Sequence, residues 1–448
     1  MRMTNPRTII PFTRYFRRHI RTWIWFTILC LAILIGLQTS DLPPRLYFRR
    51  RLSEQVDNRY FDLFTWELRS LAVKLGMEFA APQDTLTEAQ RHALVVAYLD
   101  ALGQANALHD EIEGLYSQFP GEEASQRAAA REQALADLRS WLRKRQNLVE
   151  GILEEQVSTE LEAEGFGLWG YVWPPVKIRF TELPLLLVVS SRAQITREAD
   201  VHLKAGIPVT DRETLEDGID GRFNTMRSLV TPIGGLSAYP AMILEHDALV
   251  WLSDTFAHEW THHFLVFHPL GYNYNQSGEM TSINETTASI VGREIGRRAI
   301  LRYYPELAAR LPPLPVALTC PPMSAGEMVW PDEPPPDQFD YNREMRKTRL
   351  RVDELLAEAK IEEAERYMEE RRLVFVEQGH KIRKLNQAYF AFYGSYATSP
   401  STGNPIGGQL EWLLAQKPTL RDYVLTVATF SRHEDLLALL EQAQPCPR

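Results

Sequence analysis

The sequence predicts a mainly α-helical protein with a small mixed or antiparallel β-sheet, helical hairpin regions and one N-terminal transmembrane helix. Three observations carry this reading. Apolar residues recur at three- and four-residue spacing over 53–80 and 86–118, as in Leu94, Val95, Tyr98, Leu99 and Leu102. Short alternating or wholly apolar runs are confined to the stretch from Val176 to Leu244, among Gly and Pro residues. An uncharged run over 22–38 follows an arginine-rich start.

The run from Thr22 to Gln38 is long enough to span a bilayer with some flanking help, and Trp23 and Trp25 suit its interface. Before it, residues 1–21 carry Arg2, Arg7, Arg14, Arg17, Arg18 and Arg21 without an acid. No small-x-small cleavage site follows, which favours an uncleaved anchor over a signal peptide. The expected topology is single-pass, with the basic tail in the cytoplasm and the bulk of the chain outside it. Arg45, Arg49, Arg50 and Arg51 on the far side weaken the charge asymmetry.

Residues 45–163 read as a helical N-terminal region. Pro120-Gly121 breaks it, and 122–163 form one long charged helix with Leu135, Leu138, Leu142, Val149 and Ile152 as its stripe. Arg145 interrupts that stripe, so a helical hairpin packed on the rest, or a solvated spacer, is expected rather than a coiled coil. At Gly165 the character changes. Val176–Phe180 alternates and Leu185–Val189 is wholly apolar, so both read as strands. Ala205–Pro208 and Thr231–Leu244 continue this β-type region, and Gly234-Gly235-Leu236-Ser237-Ala238-Tyr239-Pro240 suggests an edge strand or a bend. An open edge can take an extended peptide by strand addition.

A helix is expected from Asp247 to about His268, where Pro269 and Gly271 stop it. Residues 272–283 read as a polar loop, and a second helix runs from Asn284 to Tyr303. Residues 311–338 are a Pro-rich linker or lid. A charged helix over roughly 341–391 and shorter helices at 409–415, 419–431 and 434–443 make up the C-terminal region, 339–448.

Composition bounds the function. The 448 residues suffice for two or three domains or one elaborated domain. With 45% hydrophobic and 24% charged residues the chain can bury a real core. A net charge of -9 and the lack of a basic stripe argue against a nucleic-acid partner. Three cysteines are too few for a cysteine metal site, while Cys320 and Cys446 can pair outside the cytoplasm.

The helix ending at His268 contains His258-Glu259-Trp260-Thr261-His262. Histidines four apart share one helical face, so their imidazoles can converge on one zinc ion. A glutamate beside the first can act on a water held there. The third ligand must come from elsewhere: Glu285 in Asn284-Glu285-Thr286-Thr287-Ala288 is favoured, with Glu279 as the competing choice. A His-x-x-Gly-x-x-His continuation is absent, and His268, six beyond His262, cannot share its face. His263 and His268 are expected in supporting roles. Asp254 either orients His258 or belongs to a solvated face.

This set resembles the gluzincin metallopeptidases, whose second helix carries Asn-Glu-x-x-Ala with the glutamate on zinc. The nearest likeness is to predicted bacterial membrane-associated aminopeptidases. It rests on the Gly-Gly-Leu-Ser-Ala-Tyr-Pro edge, the motif helix with Asn284-Glu285, and Lys384–Tyr389 followed by Tyr393-Gly394-Ser395-Tyr396. Residues 230–300 and 380–400 are covered; the N-terminal half and the Pro-rich linker are not.

The resemblance implies a zincin-like core over 165–305, zinc on His258, His262 and Glu285, Glu259 as general base, and a peptide or protein substrate. Tyr393 or Tyr396, with Tyr389 behind, is the expected oxyanion donor unless these rings are ordinary core. Ser289 stands where such enzymes often have a carboxylate. The alternatives are a membrane-anchored scaffold with a zinc-stabilised or degenerate core, and a zinc hydrolase acting on a non-peptide bond.

Overall fold

Helices carry most of the structure and the strands form small sheets, as the apolar spacing predicts. The computed structural model describes residues 52–80, 82–119, 121–168, 170–315, 318–322, 338–395, 402 and 404–442. The basic tail 1–21, the expected span 22–38, Cys30, Tyr396, Cys446 and most of the Pro-rich stretch lie outside the described residues. Among the described residues no helix is long and apolar enough to cross a membrane. Contacts group Gln55–Arg448 as one compact unit.

Helix α1 (Leu63–Ala80) precedes a long hairpin of α2 (Glu88–Gln118) and α3 (Gly121–Leu161). A capping box starts α2: Thr87 Oγ1 accepts from the Gln90 N–H and Gln90 Oε1 accepts from the Thr87 N–H. The stripe of α3 is buried at Leu135, Leu142, Val149 and Ile152, facing Tyr98, Leu99 and Leu102 of α2. The hairpin is therefore part of the core and not a solvated spacer. Arg145 breaks the stripe by laying its guanidinium over Trp141, 4.0 Å from the ring centre.

After the short hairpin β1 (Gly167–Leu168) and β2 (Tyr171–Val172), two three-stranded sheets form. Strands β3 (Ile178–Phe180), β4 (Leu185–Ser191) and β5 (Ala199–Leu203) are followed by α4 (Val209–Arg222). Then come β6 (Met226–Pro232), β7 (Gly235–Leu236) and β8 (Ala241–Ile243). One sheet has the order β5-β4-β6 and is antiparallel, with Leu187 opposite both Val201 and Val230. The other has the order β3-β8-β7 and is mixed. Ala205–Pro208 is not part of a strand: it is a turn with Gly206 at φ +72°.

The two edges of the mixed sheet differ. On β3, the Ile178 and Phe180 N–H groups donate to Glu154 (2.9 Å) and Glu150 (2.8 Å) of α3. Side-chain carboxylates thus seal that edge. On the opposite side β7 pairs with β8, and no strand lies beyond it among the described residues.

Helix α5 (Leu249–Leu265) carries the motif, α6 (Pro269–Tyr272) turns the chain, and α7 (Gly278–Tyr303) crosses α5. The expected loop over 272–283 is thus shorter. Ser277 accepts from the Met280 N–H at 3.2 Å and starts the helix at Gly278, with Met280 and Ile283 buried. Residues 341–391 are not one helix but α8 (Tyr341–Ala357), α9 (Ile361–Glu377) and α10 (Gln387–Tyr393). Ala359 at φ +57° and Gly379 at φ +87° supply the breaks.

Helices α8 to α10 bury Met345, Val352, Phe375 and Phe390 against Leu186, Val188 and Leu229 of the antiparallel sheet. Helices α11 (Ile406–Ala415), α12 (Leu420–Ala428) and α13 (His433–Gln442) return to the first core, where Leu410, Tyr423 and Leu436 join Ile290 and Ile295 of α7. Pro322, at the described end of the Pro-rich stretch, accepts from Gln409 Nε2 at 3.0 Å.

Candidate metal centre

Two glycines let α5 and α7 approach closely. A Cβ at Gly292 would stand 2.6 Å from the Asp254 carbonyl and 3.3 Å from His258 Cβ. One at Gly296 would stand 2.7 Å from the Asp254 nitrogen. With both positions bare, the helix backbones cross at near contact, and Glu285 faces the two motif histidines.

Three donors result. His258 Nε2 and His262 Nε2 are 3.1 Å apart. Glu285 Oε2 lies 3.5 Å from the first and 3.6 Å from the second. Zinc bonds to nitrogen and oxygen of about 2.0–2.2 Å imply tetrahedron edges of roughly 3.3 Å. All three separations are close to that edge, so two neutral imidazoles and one carboxylate fit a zinc ion.

The surroundings prepare these donors. His262 Nδ1 lies 2.8 Å from Asn284 Oδ1, and Asn284 Nδ2 donates to the Leu270 carbonyl. With the amide oxygen as acceptor, Nδ1 carries the proton and Nε2 keeps its lone pair for a metal. Burial opposes a charge on His262, yet Glu285, Glu259 and Asn284 outweigh it and hold the metal-free imidazole up at about 9. Burial likewise opposes the Glu285 carboxylate, and both histidines hold its carboxyl well below the usual range.

Glu259 is buried, and burial raises its carboxyl above the ordinary range against the pull of His258 and His262. A Cβ at Gly235 would overlap the Glu259 carboxylate. The backbone of the open edge β7 therefore runs directly past that carboxylate, and Ser237 Oγ donates to the Glu259 carbonyl at 3.3 Å. Trp251, about two helical turns before His258, packs 3.4 Å from the Cβ position of Gly234.

The remaining expected residues sort by their partners. His263 Nε2 donates to the Ala238 carbonyl at 2.6 Å, and burial pushes its imidazole down to about 4. His268 Nδ1 donates to the Phe264 carbonyl at 3.0 Å. Both hold the C-terminal side of the motif segment. Asp254 faces Gly296 and Arg293 rather than His258, and burial pushes its carboxyl up to about 7. Glu279 is exposed in the first turn of α7 and is not one of the three converging donors. Ser289 Oγ donates back to the Glu285 carbonyl at 2.9 Å.

The Tyr393 hydroxyl is 2.8 Å from Thr231 Oγ1 on β6 and does not bond to the three donors. The Tyr389 hydroxyl meets that of Tyr341 at 3.2 Å. Asn386 caps α10 and donates to the Ser228 carbonyl, and Gln387 donates to the Arg192 carbonyl, so this late segment clamps α10 to the antiparallel sheet.

The roles of Asn284 and Tyr274 were not foreseen from sequence. Tyr274 donates to Glu285 Oε1 at 2.5 Å. Asn284 was visible beside Glu285 but without a role; Tyr274 sits in a polar loop that no motif marks. Cys320 is disulfide-bonded, and the other two cysteines, Cys30 and Cys446, lie outside the described residues. No family model, no curated protein and no solved structure matches the chain.

Proposed function

We propose that this chain is a membrane-anchored zinc metallopeptidase of the gluzincin type, with a zincin-like core, working outside the cytoplasm. One observation carries the reading. Three donors spaced like the edges of a zinc tetrahedron stand beside a buried glutamate, and that glutamate lies against an open strand edge. His258, His262 and Glu285 would hold the ion. Bound zinc supplies Lewis acidity that polarises a carbonyl and acidifies water.

The chain's own residues do the rest. Glu259 takes the proton of the attacking water and later passes it to the leaving amine. Its raised affinity for a proton, caused by burial, suits both transfers. Asn284 keeps His262 in the ligating tautomer. An extended peptide pairs with β7, where Gly235, lacking a side chain, lets the Glu259 carboxylate lie against the strand. For the oxyanion the expected donors are Tyr396, outside the described residues, and Tyr393, whose hydroxyl would have to leave Thr231 to serve. The Cys320 disulfide supports an oxidising compartment, and the run 22–38 supports an anchor.

The scaffold reading has less support, since a buried carboxylate that takes no part in metal binding is costly without a task. The test is metal content and peptide hydrolysis of purified protein. The parent is expected to hold about one zinc per chain, lost in His258→Ala and His262→Ala. Glu259→Gln is expected to keep the zinc and lose hydrolysis. Zinc retained with no hydrolysis of any peptide by the parent favours the scaffold; absence of zinc from purified parent overturns the whole reading.

A further inference from the structure

The two oxygens of Glu285 face different groups. Oε2 lies toward both histidine Nε2 atoms, at 3.5 and 3.6 Å. Oε1 accepts the Tyr274 hydroxyl at 2.5 Å. We infer that Tyr274 is a positioning residue that occupies Glu285 Oε1 and reserves Oε2 for the metal, so that the carboxylate ligates through one oxygen. This rests on the zinc reading above.

Tyr274 is itself held in place. Its N–H donates to the Gly271 carbonyl at 3.2 Å, and its carbonyl accepts from Thr281 Oγ1 at 2.7 Å, in the first turn of α7. Its ring stands nearly perpendicular to the His262 ring, with centres 6.4 Å apart. The phenol thus reaches Glu285 from the loop that joins the two metal helices.

A cation stands behind the pair. The Arg197 guanidinium is 2.6 Å from Asp200, its Nε is buried without a hydrogen-bond partner, and its charge acts on both Tyr274 and Glu285. Hydrogen bonding to one carboxylate oxygen withdraws its lone pairs from competition for the metal. The consequence is chemical. A carboxylate clamped on the ion through both oxygens would fill a position that water or a substrate carbonyl needs.

Visible spectroscopy of the full chain loaded with cobalt(II) tests the inference, with zinc affinity from chelator competition as a second readout. Tyr274→Phe keeps the ring and removes the hydroxyl. Its cobalt bands are expected to lose intensity as the second oxygen joins the coordination sphere, and zinc is expected to bind about 10-fold more weakly. A cobalt spectrum identical to the parent's overturns the inference, whether or not hydrolysis changes; lost hydrolysis with that spectrum assigns the phenol to the substrate instead.

If Tyr274→Phe does not fold, 3-fluorotyrosine placed at position 274 strengthens the phenol as a donor without changing the packing. The cobalt bands are then expected to shift, and unshifted bands overturn the inference. A parent chain that binds neither cobalt nor zinc overturns the zinc reading, and this inference with it.

Discussion

His262 and His258 differ in what stands behind them. Asn284 Oδ1 takes the Nδ1 proton of His262, whereas Asp254, one turn before His258, turns to α7. Asn284→Ala should therefore weaken zinc binding by about 10- to 100-fold, as removal of a ligand's outer partner does. Competition with a chelating dye measures it, and unchanged affinity would mean that packing alone orients the ring. Asp254 yields a prediction of its own. Burial lifts its carboxyl from an ordinary 3.8 to about 7 in the folded chain. Between those values the folded state holds a proton that the unfolded chain releases, so stability is full at low pH and falls as pH rises toward 7. At about 1.4 kcal/mol per pH unit, the parent should lose roughly 2–3 kcal/mol between pH 5 and 8 through this group. Asp254→Asn should remove that loss, so that its urea midpoint gains on the parent's as pH rises. Parallel pH profiles for the two proteins would show that Arg293 already neutralises the site.

At the scale of elements the centre depends on how closely α5 and α7 cross. A Cβ at Gly296 meets the Asp254 carboxylate and backbone; the carboxylate can rotate away, but the backbone cannot move without shifting α5. Gly296→Ala should cost about 1–3 kcal/mol of stability by overpacking and should weaken zinc binding, because His258 moves with Asp254. Gly221→Ala is a control, since a Cβ there meets nothing within 4 Å. Thermal melts with and without zinc report both effects. How much of this was legible in sequence follows from the kind of signal each element leaves. The motif on α5 was readable because helical periodicity turns a spacing of four into a shared face. The break at Ala359 was not, since neither Gly nor Pro marks a left-handed residue that is held by its surroundings. The true start of α7 was legible in principle, because Ser277 is a good cap, but the polar residues around it read as loop. Tyr274 left no trace at all. Its role depends on where a loop lies in space, and periodicity does not reach that far.

At the scale of the whole molecule, the N-terminal hairpin and the metal centre share one core. Leu99, Leu142 and Ile152 of the hairpin lie in the same cluster as Leu252 and Phe256 of α5 and Ile290 of α7. A polar tie runs through that union. Lys74 of α1 sits 2.6 Å from Glu150 and 2.8 Å from Glu154, with all three side chains buried. Burial opposes the Glu154 charge, and Lys74 and Lys177 overcome it, keeping its carboxyl below the ordinary range. The same two carboxylates accept the Ile178 and Phe180 N–H groups and close the outer edge of β3. Lys74 is the closest cation to both carboxylates, with Lys177 3.3 Å from Glu154 and Arg179 3.4 Å from Glu150, so these cations share the charge of the groups that close the β3 edge. Lys74→Met preserves the length of the side chain and removes its charge. It should destabilise the chain by about 3–5 kcal/mol, because two buried carboxylates lose their closest partner. It should also loosen the β3 edge, which hydrogen exchange at the Ile178 and Phe180 amides would detect as faster exchange than in the parent. If stability falls while those amides stay protected, the carboxylates hold the strand without the lysine. The hairpin would then support the sheet through packing alone.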